Sequence, residues 1–341
     1  MIHFDSDYMA GAHPRVMERL LRTNMEESVG YGSDEYTRNA AQKIRRECSM
    51  EDADVYFLVG GTQTNATVID ALLRRHEGVL AAESGHINVH EAGAVEATGH
   101  KVLTLPHYEG KVKASDVDAY IKEFYADETY EHMVAPGMLY ISQPTEYGTV
   151  YSMDELTELS EVCHSAGIPL YMDGARLSYA LSSEGCDFTL ADIARLCDVF
   201  YIGGTKAGAM MGEAVVARKG VLKNFFPLVK QHGALLAKGR LLGVQFDELF
   251  TDDLYMEIGR YAVRLAMKIK KAFLERGYEA VVDSPTNQQF FRLPNEILDS
   301  LKNHATFELW GTRGETHTVV RFVTSWSTRE KDVDTLIELI K

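Results

Sequence analysis

The sequence predicts an α/β protein, with a doubly wound core of mostly parallel strands flanked by helices and a smaller α+β lobe. Three observations predict it. Between about residues 50 and 220, short β-rich runs alternate with stretches of helical period, the pattern of strands joined by crossover helices. After Gly220 that alternation gives way to a long helical stretch, two β-like runs and a closing helix. The chain has 341 residues, 45% of them apolar, which at about 150 residues per domain is material for two lobes with buried cores.

The strands of the core are expected at Val55–Val59, Gly78–Ala82, Lys101–Leu105, Met138–Ser142, Ile168–Met172, Val199–Ile202 and Ala214–Ala217, each an apolar or β-branched run. Helices are expected between them. Thr62–Arg75 puts Val68, Ile69, Leu72 and Leu73 on one face, Ser115–Tyr125 opens with acidic residues, and Met153–Ala166 is closed by Gly167. In the second lobe, Leu254–Arg276 reads as one long helix stopped by Gly277. It is followed by strands at Gln289–Leu293 and Thr318–Thr324 and a helix at Arg329–Ile340. The division this suggests is a large α/β domain over residues 26–250 and a small α+β domain made of residues 1–25 and 251–341.

Composition excludes several classes of function. With 35 basic and 50 acidic residues the net charge is −15, and no block of Lys or Arg offers the clustered cations that a nucleic-acid backbone requires. No run of about 18 apolar residues could span a membrane, and the opening residues carry acids and a proline where a secretory leader needs a basic start and an apolar run. A cytoplasmic protein without nucleic-acid or membrane partners is expected. Cys48, Cys163, Cys186 and Cys197 are scattered without a paired spacing, so reduced thiols and no metal site are expected.

An open α/β sheet presents its ligand at the carboxyl ends of its strands, and five places there or in the second lobe carry suggestive polar residues. Gly60-Gly61-Thr62-Gln63-Thr64-Asn65 opens a helix with glycines and hydroxyls, which suits an anion such as phosphate. By itself it reads equally as a capped turn with Thr62 as the N-cap. His86, in Gly85-His86-Ile87-Asn88-Val89-His90-Glu91, could lie on an aromatic ligand or move a proton; a metal pair with His90 lacks a third ligand. Asp173 and Lys206 each follow a strongly apolar strand. A buried Asp wants a cation, and a Lys in Gly-Thr-Lys-Ala-Gly surroundings can lose its charge and become a nucleophile. Arg321 stands in Val319-Val320-Arg321-Phe322-Val323, where a guanidinium wants a planar anion or a surface acid.

Taken together, a phosphate cradle, a ring-stacking His, a buried Asp, a Lys and a carboxylate-binding Arg fit pyridoxal 5′-phosphate acting on an amino acid. Their order and spacing resemble the fold-type I pyridoxal-phosphate enzymes, and most closely the low-specificity L-threonine aldolase family of the β-eliminating lyase group. The resemblance runs through Ser6-Asp7, Tyr31-Gly32-Ser33-Asp34, Gly61-Thr62-Gln63-Thr64-Asn65, His86 with Glu91-Ala92-Gly93-Ala94, Asp173-Gly174-Ala175-Arg176-Leu177, Thr205-Lys206 and Val320-Arg321-Phe322. It implies that Lys206 holds the cofactor as a Schiff base, Asp173 pairs with the pyridinium nitrogen and His86 stacks on the ring. Gly61, Thr62 and Thr205 would bind the phosphate, completed by a cation from a neighbouring subunit, for which Lys238 or Arg240 stands in the right region. Ser6, Arg176 and Arg321 would grip the substrate carboxylate, Arg176 lying beside the cofactor as well. The implied assembly is a homodimer or a dimer of dimers.

The implied reaction is retro-aldol cleavage of L-threonine or L-allo-threonine to glycine and an aldehyde. The alternatives are another pyridoxal-phosphate reaction, β-elimination, racemisation or amino transfer, or a non-catalytic protein that keeps the fold. The sequence departs from the family in one telling place. Where members carry Asn-Thr-His, this chain has Gln143-Pro144-Thr145-Glu146, so Glu146 is the expected base for the substrate hydroxyl. A second departure replaces a Gly-Ser pair with Gly212-Glu213.

Overall fold

Seven strands form the main sheet in the computed structural model, whose described residues are 1–340. From edge to edge they run Asp54–Leu58, Glu213–Ala217, Val199–Gly203, Leu170–Asp173, Ala135–Ser142, Glu77–Ala82 and Val102–Leu105. All seven expected strands are present. Glu213–Ala217 alone runs antiparallel to its neighbours on both sides, in keeping with the mostly parallel core expected.

Because helices cover both faces, the strands are apolar on both, and successive residues divide between two cores. Leu139, Ile141, Leu170, Met172, Phe200 and Ile202 point into one, while Met138, Tyr140, Tyr171, Val199 and Tyr201 point into the other. The second face thus carries three tyrosines from three neighbouring strands toward the carboxyl edge. The strand expected from Ile168 starts instead at Leu170, and the reason is local. Gly167 turns left-handed at the end of the helix Met153–Ala166, and the Gly167 and Ile168 N–H groups bond back to His164 and Cys163, so Ile168 is spent on closing the helix. The same helix begins with a capping box between Ser152 and Glu155.

The second lobe holds a four-stranded antiparallel sheet in the order Glu308–Leu309, His317–Val323, Gln288–Pro294, Glu279–Ala280, and a short parallel pair between Ile2–His3 and Ala305–Thr306. The long helix Leu254–Glu275 serves both lobes. Leu254, Ile258 and Ala262 pack in the main core, and Leu265, Ile269 and Phe273 pack in the second one. The N-terminal segment is likewise shared, Phe4 packing in the second core and Val16 in the first. We propose the domain division at residues 26–250 against 1–25 with 251–341; Lys341 lies outside the described residues.

The four cysteines are free thiols, three of them buried. Among the described residues, no helix is long and apolar enough to cross a membrane.

Candidate active site

Asp173 ends its strand at the carboxyl edge of the sheet, on the face that Tyr140, Tyr171 and Tyr201 share. Its Oδ1 accepts the Tyr201 hydroxyl at 2.5 Å and the Ala175 N–H at 2.9 Å. Its Oδ2 accepts the Tyr140 hydroxyl at 2.7 Å and the Asn65 amide at 3.0 Å. The cation expected beside this buried acid is replaced by four neutral donors. Hydrogen bonds to a charged group contribute about 1.5–3 kcal/mol each, enough together to offset the several kcal/mol that burial of a carboxylate costs. Burial pushes the Asp173 carboxyl up, but the nearby His86 and the three side-chain donors outweigh it and hold it below the usual carboxylate range.

Lys206 sits in the turn after Val199–Gly203, at the next strand end. The turn is fastened by the Gly204 and Thr205 N–H groups on the Gly212 carbonyl and by the Tyr179 hydroxyl on the Lys206 carbonyl. Glycine is required at 204, because a Cβ there would come within 2.7 Å of the Gly212 carbonyl oxygen. Burial lowers the Lys206 amine, with the Arg176 charge adding to the effect, against the attraction of Asp7, Asp173 and Glu213. The ammonium is therefore easier to neutralise than a surface lysine.

The helix Gly61–Leu72 points its N-terminus at the same space. Its N-cap is Gly60, which has no capping side chain, so Thr62 is the second helical residue and not the cap. A Cβ on Gly61 would lie 3.3 Å from the Tyr201 hydroxyl that is bonded to Asp173. The backbone is thus open to a ligand where side chains would block it, and the uncapped first turn, with Gly61 and Thr62 lining the cavity, suits an anion.

His86 opens the short helix His86–Val89, and its ring Nδ1 donates to Glu91 Oε1 at 2.7 Å. Glu91 is buried, accepts Asn65 Nδ2 at 2.8 Å through the same oxygen, and leaves Oε2 without a partner. A chain of hydrogen bonds therefore runs from His86 through Glu91 and Asn65 to Asp173. Glu146 faces His86 from the loop after Ala135–Ser142. Its Oε1 accepts the His86 N–H at 3.0 Å and the Ser142 hydroxyl at 2.7 Å. Burial pushes its carboxyl up, in part opposed by those bonds. The loop is held rigid by Thr145 and Thr149, whose backbones and hydroxyls bond to each other.

Gly61, Thr62, His86, Glu146, Asp173, Arg176, Thr205 and Lys206 all line one cavity of about 250 Å³. Eight of the sequence candidates therefore come together. Three do not. Ser6 does not line the cavity, its hydroxyl accepting the Tyr8 N–H at 3.4 Å, while Tyr8 itself lines it. Arg321 lies in the second lobe's sheet, donating to Gln288 Oε1 at 2.6 Å and to Glu308, its neighbour across the strands. Lys238 is exposed on a loop away from its own chain's cavity. Its rival Arg240 is consumed, its guanidinium donating to the carbonyls of Thr23 and Glu26 at the end of the helix Pro14–Thr23. Thr205 lines the cavity with its hydroxyl 2.7 Å from Glu213 Oε1 and accepting the Gly212 N–H, so while Glu213 is ionised its single hydrogen is held there.

Several residues of the site escaped sequence reasoning as to role. Asp7 is buried and takes Arg176 in a two-point ion pair, Nε to Oδ2 at 2.7 Å and Nη2 to Oδ1 at 3.1 Å. Tyr140 and Tyr201 read as core aromatics inside apolar runs. Glu91 had a weak signal, standing five residues after His86. Glu213, noted only as a departure, lines the cavity.

The arrangement suits a ligand with an anion at one end, a protonatable ring nitrogen over Asp173 and an electrophilic carbon within reach of Lys206. Comparison with known proteins agrees with it. The beta-eliminating lyase family model matches residues 3–276. A low specificity L-threonine aldolase of a Pseudomonas species is 30% identical over 97% of this chain and 94% of its own, and one of Pseudomonas aeruginosa is 28% identical over 99% and 96%. The structure of a Leishmania major threonine aldolase superposes with a TM-score of 0.97 at 42% identity, covering 100% of this chain and 98% of that one. An aspartate aminotransferase of Thermus thermophilus, at 17% identity and a TM-score of 0.74 over 99% and 95%, shares the fold. By motif, fold and the extent of the match, this chain is a member of the beta-eliminating lyase family.

Proposed function

We propose that this protein is a pyridoxal 5′-phosphate-dependent carbon–carbon lyase that cleaves L-threonine and L-allo-threonine to glycine and acetaldehyde. The observation that carries this reading is that Lys206, with its lowered amine, and Asp173, held ionised in the interior, face one cavity into which an uncapped helix N-terminus points. When bound, the cofactor supplies a protonated conjugated ring that takes up the electron pair of the bond broken at Cα. The residues present fit it: Asp173 for the ring nitrogen, Gly61 and Thr62 for the phosphate, His86 against the ring, and Lys206 as the point of attachment.

The protein's own groups then divide the work. Glu146 is the base that takes the proton of the substrate's β-hydroxyl, and its raised affinity for protons brings it nearer to the hydroxyl's demand than an exposed carboxylate. Arg176 has one nitrogen left beyond its bonds to Asp7, and in the second lobe two buried donors, Arg321 Nε and Gln288 Nε2, have no acceptor. The free Arg176 nitrogen supports a grip on the substrate carboxylate; Arg321 and Ser6, which do not line the cavity, are proposed to add to it from outside, and such a grip would select which bond at Cα breaks. We also propose a cytoplasmic homo-oligomer, at least a two-fold dimer, in which the exposed Lys238 of one subunit completes the phosphate site of the next. A monomeric mass in solution at assay concentration overturns that assembly.

The test mixes the cofactor-loaded protein with L-threonine or L-allo-threonine and follows both products. Equimolar glycine and acetaldehyde are expected; binding of substrate without acetaldehyde sinks the aldolase reading. In Glu146→Gln, kcat is expected to fall by about 10²–10⁴-fold. The sign of the pH effect follows from the base having to be ionised. The wild-type rate rises with pH through a Glu146 value above the usual 4.5, and the variant lacks that acidic limb. In Gly61→Ala, the added Cβ presses on a tyrosine already committed to Asp173. Crowding of about 1–3 kcal/mol predicts cofactor binding weaker by roughly five- to 150-fold in equilibrium dialysis.

A further inference from the structure

Glu213 is the first residue of the one antiparallel strand of the main sheet, paired with Leu58 on one side and Gly203 on the other. Leu58 leads directly into the Gly61 helix and Gly203 into the Lys206 turn, so the strand pairing delivers this carboxyl between the two. It is buried, 3% exposed, and lines the cavity with Gly61, Thr62, Thr205 and Lys206. Its Oε2 accepts the Gly204 N–H at 3.0 Å and its Oε1 accepts the Thr205 hydroxyl at 2.7 Å. Thr205 Oγ1 in turn accepts the Gly212 N–H at 3.1 Å.

This geometry poses a problem of hydrogen count. An ionised carboxylate accepts and cannot donate, so while Glu213 is ionised the single hydrogen of the Thr205 hydroxyl is held by it. Thr205 then shows the anion site only lone pairs, beside a carboxylate of the same sign as a phosphate. If Glu213 carries a proton, the bond reverses. Its O–H donates to Thr205 Oγ1, which still accepts the Gly212 N–H, and the Thr205 hydrogen turns toward the phosphate oxygen.

Resting on the cofactor reading above, we propose that Glu213 is a positioning residue for the cofactor's phosphate, acting through Thr205, and that binding of the cofactor takes up a proton at Glu213. One proton is added to the carboxylate, two O–H···O contacts exchange direction, and no other bond changes. The charged and titratable groups around Glu213 are Lys206 in the turn, Asp173 and Tyr171 on one strand, Tyr201 on the next and Tyr255 on the long helix. Burial, opposed by the Thr205 bond and by Lys206, pushes the Glu213 carboxyl up to about 8, so the exchange falls in an accessible range of pH.

The sign follows from linkage. If the complex holds the proton more tightly than the free protein does, affinity is full below the free-protein value and is lost as pH rises through it, by up to about tenfold per pH unit. The test is calorimetric titration of the cofactor-free full chain with pyridoxamine 5′-phosphate, which forms no bond to Lys206, between pH 6.5 and 9.5. It is run in two buffers of different ionisation enthalpy so that proton uptake is counted directly. For the wild type, Kd is expected to rise about tenfold or more across that range, with uptake near pH 8 of about half a proton beyond the ligand's own. Glu213→Gln, whose amide donates to Thr205 at every pH, should bind like the wild type at pH 6.5, lose most of the rise and show less uptake. The wild-type uptake keeps the test independent of whether the variant folds. Parallel pH profiles in the two proteins, or no excess uptake in the wild type, overturn this proposal alone. Absence of binding at every pH overturns the cofactor reading and this proposal with it.

Discussion

Lys206→Ala is expected to yield a colourless protein with no measurable cleavage of L-threonine. The lysine is the one amine lining the cavity, and burial beside Arg176 keeps its proton loosely held, which is what a nucleophile at neutral pH requires. Removing it takes away both the attachment of the cofactor and the exchange by which substrate amine replaces it. The loss should exceed the roughly 10⁴-fold upper range of a single general acid–base group. The measurement is the visible absorbance of the purified protein together with acetaldehyde release. A variant that stays yellow after exhaustive dialysis and still releases acetaldehyde shows that another group carries the cofactor.

Asp7→Ala is expected to lower stability by about 3–5 kcal/mol, the cost of leaving one member of a buried ion pair alone. Arg176 would keep its charge in the interior, facing Lys206 and Arg321, whose positive charges Asp7 now offsets. Since Tm changes by about 2 °C or less per kcal/mol for a chain longer than about 250 residues, a fall of roughly 5–10 °C is expected in thermal unfolding. The acid side carries a second sign. Burial raises the Asp7 carboxyl, but Arg176, Lys206 and the Arg176 and Asn287 hydrogen bonds outweigh it and hold it below the usual 3.8. Its contribution is therefore fully present above 3.8 and is lost as pH falls through the lower folded value. The double variant Asp7→Ala with Arg176→Met should recover much of the lost stability, because the guanidinium left without its partner is removed as well. Failure to recover would mean that the cost comes from the contacts Asp7 makes with Asn287 and not from charge.

The chain by itself determined the seven strands of the main sheet and the positions of Gly61, His86, Asp173 and Lys206, while the order of those strands and the antiparallel run of Glu213–Ala217 came from the fold. Each of the former rests on a local cause: apolar runs make strands, caps and glycines end helices, and an open α/β sheet puts whatever follows its strands at one edge. Glu146 was legible only through the family resemblance, as the residue standing where members carry a His. What a side chain is bonded to was not legible, because partners come from residues distant in sequence. Asp7 finds Arg176 across 169 positions, and Asn65 finds Asp173 across 108. The alternation of a strand says which face Tyr140 and Tyr201 share, but an apolar run gives no sign that their hydroxyls will hold a buried acid ionised. The tertiary structure likewise decided that Arg240 is spent on a helix end, that the Thr205 hydroxyl meets Glu213, and that Arg321 is held by Gln288 and Glu308. A hydroxyl has one hydrogen and a guanidinium five, and only the packed fold decides which acceptors stand near enough to claim them.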